Sequence, residues 1–218
     1  MSNKLIDAVK DNNIKLVKEL LEDKDIDVNA KDDEGDTALM WASYNGYTDI
    51  VKMLLDHNDI DVNAKDSYSY TALMHASIVG NDDIVKMLLQ HKDIDVNDID
   101  DWGETSLTTA AYKGYCAISN VITQFEDNDP NKDNAALMPE SFYRYDNIVK
   151  MILNHKDVKV NIKDIFNVSK MFTAKYILNI GNIGINIRDY RSNTDLRSNT
   201  DLMKDIANMY DDYIKNKQ

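Results

Sequence analysis

Tyr70-Thr-Ala-Leu-Met-His-Ala-Ser-Ile-Val-Gly-Asn-Asp-Asp-Ile-Val-Lys-Met-Leu-Leu-Gln-His-Lys-Asp-Ile-Asp-Val-Asn97 is a stretch the chain uses more than once. Thirty-four positions earlier, Thr37-Ala-Leu-Met40 stands for Thr71-Ala-Leu-Met74, Gly46 for Gly80, and Asp49-Ile-Val-Lys-Met-Leu-Leu55 for Asp83-Ile-Val-Lys-Met-Leu-Leu89. The closing Asp93-Ile-Asp-Val-Asn97 returns as Asp59 to Asn63 and as Asp25 to Asn29. A fixed period of this length marks stacked repeats, in which each unit is too small to bury its own apolar surface and neighbours bury it for each other.

Within one unit, the Thr71 hydroxyl can cap a helix, Leu73, Met74 and Ser77 fall at helical spacing, and Gly80 ends it. A second apolar series follows at Ile84, Val85, Leu88 and Leu89, with Lys86 and Gln90 off the stripe. The Asp- and Asn-rich segment from Asp93 to Glu104 has too little to bury for a helix. The unit is therefore helix, tight turn, helix, long loop.

This pattern resembles the ankyrin repeat. Asp32, Gly35, Thr37, Leu39, Ala42, Gly46, Ile50, Val51, Leu54, Leu55, Val62 and Asn63 match that family's motif in register. Ala38 and Ala72 stand where the family has Pro, and Met40 and Met74 where it has His. The substitution removes the family's Thr–His hydrogen bond and leaves apolar packing in its place. The resemblance implies an all-α solenoid of stacked helix-turn-helix units with extended loop fingers. It also implies a non-catalytic protein–protein interaction module, binding through its concave face and finger loops.

The 218 residues are read as a single ankyrin-repeat domain. An N-terminal cap unit spans 1–30, regular units span 31–64, 65–98 and 99–132, and degenerate units span 133–162 and 163–187. Residues 188–218 form a C-terminal cap. In unit four Thr105-Ser-Leu107 replaces Thr-Ala-Leu, and Cys116 is placed at the start of its second helix. Unit five carries Pro139 in its first helix, and Asn147-Ile-Val-Lys-Met-Ile-Leu-Asn-His-Lys-Asp157 as its second helix. Arg191-Ser-Asn-Thr-Asp-Leu196 is repeated at once as Arg197 to Leu202, a tandem duplication inside a loop. An amphipathic helix from Leu202 to Ile214 closes the chain.

Several other chemistries find little support. One cysteine permits no internal disulfide, and with no apolar leader or membrane-length stretch the expectation is a cytoplasmic protein. His57, His91 and His155 recur at the ends of second helices, about 8–10 Å apart in a stack, too far to share one ion whose ligands lie at about 2 Å. The Asp-x-Asp-x-Asn strings lack the glycine a calcium loop needs at its sixth place. With no phosphate loop or nucleophile elbow either, no enzyme activity, cofactor or metal is expected.

Aromatic and acidic residues in the fingers and first helices remain. The partner-binding set read from the sequence is Asp33, Glu34, Asp36, Trp41, Tyr44, Asn45, Tyr68, Tyr70, His75, Ile78, Asp101, Trp102, Glu104 and Tyr112. Loops 23–36, 57–70 and 92–104 hold 16 acidic and four basic residues, a balance of −12 against −13 for the chain. Such an edge repels nucleic acid and anionic lipid and suits a protein partner with a basic surface. The chain is expected to act as a monomer. The other reading of the same surface is a regulatory or inhibitory subunit that blocks an enzyme or a nucleic-acid-binding protein.

Overall fold

The computed structural model describes residues 3–126 and 140–161, together with 164, 167, 168, 170 and 171. Among these residues there are eight helices and no strand: α1 (Lys4–Lys10), α2 (Ile14–Leu21), α3 (Ala38–Asn45), α4 (Thr48–Leu55), α5 (Ala72–Val79), α6 (Asp82–Gln90), α7 (Ser106–Glu126) and α8 (Glu140–Leu153). An isolated antiparallel bridge, Lys31 to Thr37, closes the first finger.

Helices α3 and α5 start and stop as their sequences dictate. Thr37 and Thr71 accept from the amides of Met40 and Met74 at 3.3 Å. Each such cap contributes about 1 kcal/mol. Gly46 and Gly80 then take left-handed φ of 75° and 78°, which end the helices. Met40 is buried, and its sulfur lies 3.4 Å from the Thr37 amide. Apolar packing with a weak N–H···S contact thus occupies the place of the family's histidine.

Two layers result. First helices stack as α1, α3, α5 and α7, and second helices as α2, α4, α6 and α8. Each second helix buries one stripe: Ile50, Val51 and Leu54 in α4, Ile84, Val85 and Leu88 in α6, Ile148, Val149 and Ile152 in α8. Val28, Val62 and Val96 are buried where each finger leaves the core. That burial is why an apolar residue alternates with the acids of Asp-Val-Asn.

Asparagines tie the units together. Asn29 donates to the Asp59 carbonyl at 2.6 Å and accepts from the Asp61 amide at 2.8 Å. Asn63 does the same with Asp93 and Asp95. Asn97 makes this pair of bonds with Asp157 and Lys159, at 2.9 and 2.6 Å, 30 residues later than the period requires.

The fourth unit therefore departs from the expected helix-turn-helix over 99–132. Helix α7 runs unbroken from Ser106 to Glu126, through Gly114, and Cys116 lies inside it rather than at a second-helix start. The cause is local. Asn81-Asp82-Asp83, with acids at the helix N-terminus, becomes Tyr115-Cys116-Ala117, which has no turn residue to end one helix or start another. Helix α8 lies against α6 in the second layer, and Tyr145 fills the place of Asn81. Asn81 donates to the Ser43 carbonyl and abuts Gly46, while Tyr145 donates to the Ile78 carbonyl at 3.0 Å and abuts Gly80. Pro139, the duplicated hexamer, the unit at 163–187 as a whole and the C-terminal cap helix lie outside the described residues.

Candidate functional site

Three aspartates at the 34-residue period organise the fingers. Asp32 Oδ1 accepts the amides of Glu34 and Asp36, Asp66 Oδ1 those of Tyr68 and Tyr70, and Asp100 Oδ1 those of Trp102 and Glu104, all at 2.8–3.1 Å. Each carboxylate folds its finger tip into the same turn. Gly35 and Gly103 hold left-handed φ there, and Ser69 does so at 65° in the middle finger. The tips join edge to edge, Ser67 N–H to the Glu34 carbonyl and Asp101 N–H to the Tyr68 carbonyl, both at 3.2 Å.

The other oxygen of Asp32 and of Asp66 faces the first helix, nine residues on. Asp32 Oδ2 accepts from Trp41 Nε1 at 2.9 Å and from Lys10 at 3.0 Å. Burial alone pushes the Asp32 carboxyl up. The bonds from Lys10, Trp41 and the Asp36 and Glu34 amides outweigh it and hold the group below its ordinary value. Asp66 Oδ2 meets His75 Nε2 at 3.1 Å, and Asp36 Oδ1 approaches the same nitrogen at 3.6 Å. Burial, opposed by His75 and reinforced by the charges of Asp32, Asp66 and Glu34, raises the Asp36 carboxyl.

From His75 a run of rings crosses the fingers. Tyr44 meets the imidazole edge-on, with centroids 6.0 Å apart, and Tyr70 lies 5.7 Å from it. Tyr70 is 6.1 Å from Trp102, which lies 6.2 Å from Tyr68 with planes 19° apart. Tyr44, Tyr68 and Trp102 stay 49%, 58% and 56% exposed. Burial, then the Asp100 and Glu104 charges, push the Tyr70 phenol up, so it remains a neutral hydroxyl.

Of the residues named from the sequence, the structure brings together Tyr44, Tyr68, Tyr70, His75 and Trp102, with Asp36 beside them. Asp33, Glu34 and Asp101 lie exposed on the finger edge, and Glu104 is half-buried beside it. Asp101 also accepts from the Ser69 hydroxyl at 2.6 Å. Trp41 is half-buried at the seam with the first unit, its ring under Lys10 at 4.2 Å, so its contacts are internal. Asn45 donates to the Trp41 carbonyl at the end of α3. Ile78 is half-buried, while Tyr112 is exposed on α7, outside this run of rings. The reading from sequence missed Asp32, Asp66 and Asp100. The available signal was an aspartate repeating every 34 residues with a polar side chain nine positions later.

The finger lysines are engaged internally. Lys31 donates to the Lys65 carbonyl at 2.7 Å, and Lys65 pairs with Asp98 at 2.7 Å. His57, His91 and His155 each accept, through Nδ1, the amide two residues on at 3.3 Å. Asn29 in Asp25-Ile-Asp-Val-Asn29 is held by the Asp27 carboxylate and used in the asparagine ladder.

Residues 5–100 match the family model for ankyrin repeats, in three copies. That stretch is an ankyrin-repeat array, and the all-α stacked architecture agrees with it. Ankyrin repeats are in general protein–protein interaction modules, and the family is typically non-catalytic. No curated protein matches the chain. None of the described helices is long and apolar enough to cross a membrane.

Proposed function

We propose that this protein is a non-catalytic binding module that captures a basic segment of a partner protein along the edge formed by its fingers. The observation that carries this reading is the run Tyr44, His75, Tyr70, Trp102, Tyr68. Its rings contact one another across three units, yet three of the five stay about half exposed. A fold that buries apolar side chains between units has no packing use for those exposed faces. Tyr and Trp are the residues interfaces favour, and Arg or Lys of a partner can stack on them. The carboxylates of Asp33, Glu34 and Asp101 flank the rings, while Lys31 and Lys65 are turned to neighbouring fingers, so the edge meets the partner as an acidic one. The protein works as a monomer in the cytoplasm, and its partner is neither nucleic acid nor membrane.

Fluorescence anisotropy with labelled peptides tests this. Arg- and Lys-bearing peptides should bind in preference to neutral or acidic ones of equal length. Affinity should fall as salt rises and drop about tenfold or more in Trp102→Ala, the loss expected at an interface anchor. Equal binding of basic and acidic peptides, or binding indifferent to Trp102, overturns the proposal.

A further inference from the structure

The first and second fingers meet around a group of atoms with the spacing of a metal site. His75 Nε2 lies 3.1 Å from Asp66 Oδ2 and 3.6 Å from Asp36 Oδ1, and all three atoms fall within 4.8 Å of one another. A tetrahedral zinc with bonds of about 2.0–2.1 Å sets its ligand atoms about 3.3 Å apart. The two distances to the imidazole bracket that value.

The three side chains are held in place. Oδ1 of Asp66 accepts the Tyr68 and Tyr70 amides at 2.8 Å, which fixes the carboxylate and aims Oδ2 at the imidazole. The Asp66 side chain is only 6% exposed. His75 sits on α5 with Tyr44 and Tyr70 against its ring. Such outer supports orient the ligands of real metal centres. A separate feature is Asp36 Oδ1. It is a buried carboxylate oxygen that accepts no hydrogen bond, although it faces the same imidazole nitrogen. Unit two has Trp41 and Lys10 on the equivalent aspartate, so the arrangement belongs to this junction and is no by-product of the repeat.

We infer that His75 Nε2, Asp66 Oδ2 and Asp36 Oδ1 form a zinc-binding site, with the fourth position taken by water. Zinc takes the Nε2 lone pair in place of the proton that lies between the imidazole and Asp66, and the neutral ring then carries its single proton on Nδ1. Nδ1 is buried with no acceptor. The affinity is accordingly modest, because a partner on the second ring nitrogen is what tightens such sites.

Calorimetric titration of the chelator-treated full chain with Zn²⁺ tests the site, with Co²⁺ as a spectroscopic stand-in. One equivalent of Zn²⁺ should bind, and Co²⁺ should give the intense visible absorption of tetrahedral coordination. His75→Gln keeps a donor for Asp66 and Asp36→Asn keeps the shape of the carboxylate. Each should weaken binding about 10- to 100-fold and abolish the Co²⁺ band while melting like the wild type. A chain with His57, His91 and His155 all changed to Gln should bind as before. Binding that survives His75→Gln, that vanishes in the triple variant, or that is absent from the wild type overturns the assignment.

Discussion

At the scale of single residues, Asp32 shows how much one side chain carries in this fold. It holds the finger turn through two amides, anchors α3 through Trp41, and ties in the first unit through Lys10. Asp32→Ala removes all four bonds at once and should cost about 2 kcal/mol, in line with hydrogen bonds to a charged group. Its pH dependence has a definite sign. The folded-state pKa lies below the ordinary aspartate value. The contribution is complete above that ordinary value and disappears as pH falls through the lower folded one. Denaturant melts of wild type and variant should therefore differ fully at neutral pH and converge in strong acid. Asp36 works in the opposite sense. Its raised carboxyl takes up a proton on the way down, so it partly offsets the loss. Gly35 is constrained in another way. Its φ is 87°, and an added Cβ would stand 2.8 Å from the Ser67 amide nitrogen. Gly35→Ala should cost about 1–2 kcal/mol in the same melts, the penalty for a side chain in left-handed backbone.

The elements are where sequence and structure part company, and Gly114 is the residue that divides them. Spacing alone makes it the counterpart of Gly46 and Gly80 and hence a helix stop. In the structure it sits inside α7, where a Cβ would meet Met171 Sδ at 2.6 Å and Tyr145 Cβ at 3.1 Å. The glycine permits close approach of α8 and Met171, a packing reason that no local pattern reveals. Gly114→Ala should destabilise the protein, although the same change in an isolated helix stabilises by about 1 kcal/mol. Tyr145→Phe, which loses the bond to the Ile78 carbonyl, should cost about 1 kcal/mol. Both are read from thermal or denaturant melts, and unchanged stability in both would sever α8 from the stack described above. What was legible followed from local chemistry. Thr caps, left-handed glycines and the Ile-Val-x-x-Leu stripe act within a few residues, so units one to three could be read directly. The place of α8 was not legible in the same way. Its own sequence, Asn147-Ile-Val-Lys-Met-Ile-Leu153, identifies it as a second helix, but which first helix it serves depends on contacts across 60 residues. At the candidate site the exposed rings stood out by residue type. The aspartates beneath them were hidden, because a finger rich in acid gives no sign of which carboxylate turns inward.

At the scale of the whole molecule, stacking converts a scattered composition into a surface. The three finger stretches hold most of the excess negative charge, and edge-to-edge bonds between successive tips bring them side by side. Lysines recur instead on the second helices, with Lys52, Lys86 and Lys150 all exposed. A charge pattern of this kind acts mainly on the encounter, whereas buried aromatic contact acts mainly on the lifetime of the complex. The two contributions are therefore separable by kinetics. Asp33, Glu34 and Asp101 replaced together by Ser should slow association with a basic peptide and flatten its dependence on salt, leaving dissociation nearly unchanged. Asp32, Asp66 and Asp100 must be left intact in that variant, since they hold the turns. Trp102→Ala should do the reverse, hastening dissociation about tenfold with association little altered. Tyr68 touches the same indole and should give a smaller effect in the same direction. Stopped-flow traces at two ionic strengths distinguish these outcomes. If the charge variant changes dissociation instead, the acids are contact residues of the bound state. If neither variant alters either rate, the binding surface lies away from the fingers, and the exposed rings need another explanation.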